Sequence, residues 1–224
     1  MSSAWQAVWA IVKKDILAEL RTKETLSMML IFVLLAVFIF NFAFDLRVEN
    51  VREVAPGVMW VAFVFAGVLG LNRSFIQEAD KGCLDGLLMT PVERSVIYFG
   101  KMLGNLIFML VVDAIALPVF SVLLNLALVR WDIALIVVLG TLGFAGVGTL
   151  FSAMTANTRA REVMLPLLLF PVALPLVLAA VKATAGVLDG AGLREVANWF
   201  NLLIGYDVAF LTISYLTFDY VVES

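Results

Sequence analysis

Apolar runs close to the length that a helix needs to cross a hydrocarbon layer recur along this chain, with short polar segments between them. Leu26 to Phe44 is the clearest, 19 residues without a charge and about 28 Å long as an α-helix. A charged turn, Asp45 to Glu53, leads to a second run from Val54 to Leu71. There Ala62, Ala66 and Gly70 recur every four residues and form a face that another helix can approach closely. The third run, about 102–126, carries Asn105, Asp113 and Pro118. The fourth, about 133–156, contains Gly140, Gly143, Gly146 and Gly148, with Thr141, Ala145, Gly148, Ser152 and Ala156 along one face, a pattern for tight packing. The fifth, 163–181, includes Pro166, Pro171 and Pro175, each of which removes a helix hydrogen bond and invites a hinge. A loop from Lys182 to Asn198 precedes a sixth run, 199–222, that contains Asp207. If the membrane begins at Tyr206 instead, residues 193–205 form an interfacial or re-entrant piece and Asp207 is a rim residue.

Two stretches depart from this pattern. Over residues 4–23, Trp5, Val8, Trp9, Val12, Ile16 and Leu20 fall at helical spacing opposite Lys14 and Arg21, which predicts an amphipathic helix in the membrane interface. A cleaved signal peptide is the competing reading. However, Asp15, Glu19 and Glu24 precede the apolar run and no small-residue cleavage site follows it, so the first span is expected to be retained. The second stretch is the polar segment 72–101. Its first half can pack Phe75, Ile76, Leu84, Leu87 and Leu88 while Glu78, Asp80, Lys81 and Asp85 stay solvated, as in a helix lying on the membrane surface. Pro91 pushes Thr90 away from helical angles and should stop that helix near Met89.

Composition turns this pattern into a class. The chain has 224 residues, 63% of them hydrophobic and 15% charged, against about 45–50% and about 25% in soluble domains. With a mean hydropathy of +1.04, it reads as an all-α integral membrane protein. Six transmembrane helices are expected to fill a single membrane domain over 1–224 and to leave no room for a separate soluble domain. An ionised carboxylate at mid-membrane costs about 2.5–3.5 kcal/mol on insertion scales, so Asp113 should be neutral, paired or facing a wet cavity. With Asn105 it marks a candidate intramembrane polar site, either a cavity or relay group or an inter-helix hydrogen bond.

Candidate chemistry is otherwise sparse. The single cysteine, Cys83, excludes an internal disulfide framework, and the absence of histidine removes the commonest metal and haem ligand and the usual neutral-pH acid or base. Enzyme catalysis and a metal site are therefore not expected. The net charge of −3, with no basic stripe, gives no nucleic-acid signature. No G-x4-G-K-[ST] phosphate loop occurs, so energy from ATP would have to come from a partner.

Lys and Arg placement orients the spans. The N-terminal segment (Lys13, Lys14, Arg21, Lys23), the polar segment (Arg73, Lys81, Arg94, Lys101) and Arg159 with Arg161 carry ten positive charges on one side. Arg47, Arg52, Arg130, Lys182 and Arg194 give five on the other. The richer side, with both termini, is expected to be cytoplasmic. Trp60, Trp131 and Trp199 then mark the outer interface, and Trp5 and Trp9 the inner one. Arg159 and Arg161 would meet anionic lipid headgroups or a cytosolic partner.

The text E-x3-G-x-L-[DE]-x-L-L-x-[ST]-P, here Glu78, Gly82, Leu84, Asp85, Leu87, Leu88, Thr90 and Pro91, with Arg94 and Gly100-Lys101 after it, resembles the cytosolic coupling loop of ABC-type exporter permeases. Further strings narrow the resemblance. Ala55 to Phe75, Gly140-Thr-Leu-Gly-Phe144 with Asn157-Thr-Arg159, Leu165 to Leu176, Lys14-Asp15 and Glu19-Leu-Arg21 are similar to the CcmB family, permease subunits of the cytochrome c maturation complex. That resemblance implies a bacterial inner-membrane permease working with the CcmA ATPase, with CcmC and CcmD, and upstream of the haem chaperone CcmE. It also implies two copies of the chain, or one with a related permease, above two ATPase subunits. Haem would be the substrate of the complex and ATP would sit on the partner subunit. Without histidine, and with Cys83 on the cytosolic side, a haem-ligating pocket within this chain is not expected. The alternatives are a permease of a general ABC exporter for lipid, drug or glycan, and a purely structural anchor that docks the ATPase.

Overall fold

The structure is a computed structural model that describes residues 2–45, 51–80, 94–156, 158, 160–192 and 194–223. These form seven helices: α1 (Ser2–Thr22), α2 (Glu24–Asp45), α3 (Val51–Asp80), α4 (Arg94–Leu123), α5 (Trp131–Thr155), α6 (Arg161–Leu188) and α7 (Ala197–Glu223). No strand occurs among the described residues. The last six helices are each long and apolar enough to cross a membrane. The expected all-α membrane architecture, six spans preceded by an amphipathic helix, is the one observed.

The apolar face of α1 divides in two. Val8, Ile11 and Val12 are buried in a cluster with Val96, Ile97 and Met102 of α4, whereas Trp5, Trp9 and Leu20 are exposed. An exposed tryptophan pair on a membrane helix suits the lipid–water interface. At the junction with α2 the chain turns through Lys23, whose φ is +55°. Glu19 Oε1 accepts the Leu26 N–H at 2.8 Å and satisfies one of the donors left free at the start of α2.

Several boundaries differ from those read off the sequence. Residues 72–80 continue α3 and do not begin a separate surface helix. No glycine or proline stands between Leu71 and Asp80, and the amphipathic pattern is the same whether a helix lies flat or runs on. α4 starts at Arg94, so Gly100 and Lys101 are helical and not part of the polar loop. α6 extends to Leu188, past the expected loop start at Lys182, because an exposed lysine among good helix formers is no stop signal. α7 is one continuous helix from Ala197, with Asp207 buried inside it at 4% exposure. Trp60 is buried between helices, where its indole N–H donates to Thr184 Oγ1 at 3.1 Å.

At one end of the bundle α4 and α6 stop in the same way. Asn125 (φ +51°) and Gly190 (φ +89°) adopt the left-handed conformation, and the next residues close the cap, Leu126 N–H to Ser121 O at 3.0 Å and Ala191 N–H to Gly186 O at 2.9 Å.

The centre of the bundle is α5. Gly140 faces Trp60 and Gly148 faces Leu71, both on α3, while Gly143 meets Asp207 of α7 with Leu176 of α6, and Gly146 meets Leu211 of α7. A Cβ on Gly146 would stand 2.5 Å from Leu211 Cδ2, closer than carbon atoms tolerate. In hydrocarbon, where lipid tails are as apolar as leucine, such close approach and hydrogen bonding across it supply the attraction between helices.

Candidate functional site

Three buried polar groups lie along one face of α4. Lys101, Asn105 and Asp113 are spaced by four and eight residues and are all buried. Each reaches another helix. Thr141 Oγ1 donates to Asp113 Oδ2 at 2.8 Å, Asn105 Nδ2 donates to Thr149 Oγ1 at 3.1 Å, and Lys101 Nζ donates to Asp15 Oδ2 of α1 at 3.0 Å. The first two pairs share one antiparallel register between α4 and α5, with Met109 and Ala145 opposed midway. For Asp113 the structure thus contains the inter-helix hydrogen bond. The cavity beside it is about 10 Å³ in volume, bordered by Trp60, Met109, Thr141, Phe144 and Leu176, and has room for about one water molecule.

On the opposite side of α5 the arrangement changes. Asp207 is buried against Gly143, and neither of its carboxyl oxygens has a hydrogen-bond partner among the described residues. Along the same α5–α7 seam lies a groove of about 460 Å³, lined by Val147, Leu150, Phe151, Phe210, Ser214 and Thr217. Hydroxyls elsewhere bond to backbone: Tyr98 to Gly146 O at 3.1 Å, Ser152 to Leu71 O at 2.8 Å, and Tyr206 to Val172 O at 3.1 Å. Tyr206 thereby ties α7 to the stretch of α6 between Pro171 and Pro175. α6 remains one unbroken helix through Pro166, Pro171 and Pro175.

Of the coupling residues, Glu78 has its backbone in the last turns of α3, but its side chain lies outside the described residues, as do Gly82, Leu84, Asp85, Leu87, Leu88 and Pro91. The segment 81–93 joins the end of α3 to the start of α4. At that end, Arg73 of α3 pairs with Glu24 of α2.

A sequence profile described as CcmB protein matches residues 6–224, from α1 to the end of α7. The chain belongs to the CcmB family. Relatives named heme exporter protein B include one from Rhodobacter capsulatus, 28% identical over 169 residues that cover 74% of this chain and 77% of the relative. Another, from Haemophilus influenzae, is 26% identical over 185 residues, 82% of each chain. The Escherichia coli K12 protein is 24% identical over 204 residues, 88% of each. The resemblance to CcmB drawn from the sequence strings holds, and the polar face of α4 falls inside the CcmB match.

Sequence reasoning missed two features of this CcmB chain. Asp207 was placed inside the sixth run, or at its rim if the membrane began at Tyr206, but nothing in the sequence told of its burial against Gly143. The Lys101–Asp15 pair was hidden because both residues fall in segments assigned to the surface. The signal for Lys101 was its four-residue spacing from Asn105, which places both on one helical face.

Proposed function

We infer that this chain is the permease subunit of a haem-export system serving cytochrome c maturation, a multi-pass transport component that forms one membrane domain. The observation that carries the reading is the CcmB match over residues 6–224, joined to six helices long enough to span. The family resemblance and the charge asymmetry favour a bacterial inner membrane with both termini in the cytoplasm. With no phosphate loop of its own, the chain takes ATP-driven work from a partner ATPase of the CcmA kind. Glu78, Gly82, Leu84, Asp85, Leu87, Leu88 and Pro91 form the contact. Two copies stand above two ATPase subunits, beside CcmC and CcmD, and act indirectly on CcmE.

In this reading α3 and α4, the helices that flank segment 81–93, carry movement inward. The Asp113–Thr141 and Asn105–Thr149 bonds keep α4 and α5 in register as they move, and Pro166, Pro171 and Pro175 let α6 bend. The absence of histidine argues that the subunit remodels a partner's haem site and releases loaded chaperone without ligating haem itself.

Deletion and complementation scored by c-type cytochrome content test the reading. Deletion should abolish these cytochromes and the wild-type chain restore them. Intact cytochromes in the deletion strain would favour a general exporter of lipid, drug or glycan. Glu78→Lys or Asp85→Lys should detach or uncouple the ATPase, and unchanged maturation in both variants would count against the assigned contact.

A further inference from the structure

The N-terminal helix is held to the bundle by a charge pair that the packing does not require. Lys101 sits in the third turn of α4, 2% exposed, and meets Asp15 at 3.0 Å. The two helices close around it on glycines. A Cβ on Gly100 would stand 2.8 Å from Ile11 Cβ, and one on Gly104 would stand 3.8 Å from Asp15 Cβ. Apolar residues of similar volume would hold two such helices together at least as well, because burying charges costs desolvation that their attraction only partly offsets. An ion pair adds direction instead, since it is satisfied at one register and one rotation of α1 on α4. The far side of α1 presents Trp5 and Trp9, 68% and 64% exposed, the residues that favour the lipid–water boundary. Glu19 then fastens the end of α1 to the start of α2 through Leu26 N–H. α1 is therefore bound to the interface on one side and to α4 on the other, next to where segment 81–93 enters α4.

We propose that Lys101 and Asp15 are positioning residues that fix the start of α4 to the membrane interface through α1. Work delivered at residues 81–93 then goes into moving α3 against α4, and α4 is not displaced as a whole. The proposal rests on the reading of the chain as an ATPase-driven permease. Lys101 and Asp15 pair with each other between α1 and α4, so their loss should separate ATP consumption from output.

The test uses the assembled complex. Lys101→Met should leave the chain in the membrane with its ATPase and keep hydrolysis within about twofold of wild type, while c-type cytochrome content falls about tenfold, a usual size for a coupling energy. Lys101→Arg, which keeps the charge, should restore most of that content. A second variant holds the helices covalently. Asp15→Cys with Gly104→Cys, in a Cys83→Ser background, places two thiol-bearing carbons at a separation suited to a disulfide. Oxidation of that complex in vesicles should preserve ATP hydrolysis, because α1 and α4 do not part during the cycle. Loss of hydrolysis on oxidation, reversed by reductant, would overturn the proposal. So would Lys101→Met cells with normal c-type cytochromes in a background where deletion of the chain removes them. If deletion leaves cytochromes intact, the functional reading itself fails. If Lys101→Met depletes the chain, the cross-link result decides.

Discussion

Asp113 and Asp207 are both buried carboxyls on helices that flank α5, yet one receives a hydroxyl from Thr141 and the other has no partner among the described residues. The difference lies in what α5 offers on its two sides. Toward α4 it presents Thr141 and Thr149, and the contact is specified by hydrogen bonds in a fixed register. Toward α7 it presents Gly143 and Gly146, and the contact is specified by closeness alone. A polar pair resists sliding, because any shift leaves a buried donor or acceptor unmet. A glycine contact resists only swelling. The bundle therefore has one seam fixed along its length and another fixed only in its spacing.

Substitutions can break that contrast. The largest effect is expected at Gly143→Leu, whose Cβ would overlap Asp207 Oδ1 and stand 3.0 Å from Leu176 Cδ1. Overpacking should cost about 3 kcal/mol and lower the thermal midpoint of the purified complex in detergent. An unchanged midpoint would mean that α7 yields and the seam is not tight. Next come two identical changes at the two acids. Asp113→Leu loses the Thr141 bond and should cost about 1 kcal/mol, whereas Asp207→Leu loses no bond and should leave the midpoint unchanged or raise it. Equal losses at both sites would erase the distinction between the seams. The smallest effect is the coupling between Asn105→Leu and Thr149→Val in a double-mutant cycle, about 0.6 kcal/mol for a hydrogen bond inside a membrane protein. Strict additivity would show that this rung adds nothing to the register.

Much of the architecture was legible because a membrane imposes one length and one polarity on everything that crosses it. The run from Leu26 to Phe44 could hardly have been anything but a span. The glycines of the fourth run likewise announced close packing, and each of the four meets a bulky side chain from another element. Boundaries were harder where a charge was mistaken for an end. Lys101 and Lys182 are both lysines beside apolar runs, yet one is buried in an ion pair and the other projects from a helix surface. Locally only the four-residue spacing from Asn105 sets Lys101 apart, since its partner is 86 residues away. Asp207 was obscured for a related reason: burial depends on Gly143, which reads as a packing residue without saying what packs there. The coupling text from Glu78 to Pro91 was legible as a motif only, and its side chains lie outside the described residues.

The unbroken course of α3 has a mechanical meaning. Its 30 residues make a rod of about 45 Å, half again the thickness of the hydrocarbon it crosses. Two glycines mark its tightest contacts near the exit, Gly67 against Phe144 and Gly70 against Met29. Beyond them the helix runs on to Asp80, an arm of about 15–20 Å. A tilt of about 10° at those contacts swings the tip through about 3 Å, more than half the rise of a helical turn. With glycines at those contacts, a small rotation of α3 among the spans becomes a several-fold larger displacement at Asp80.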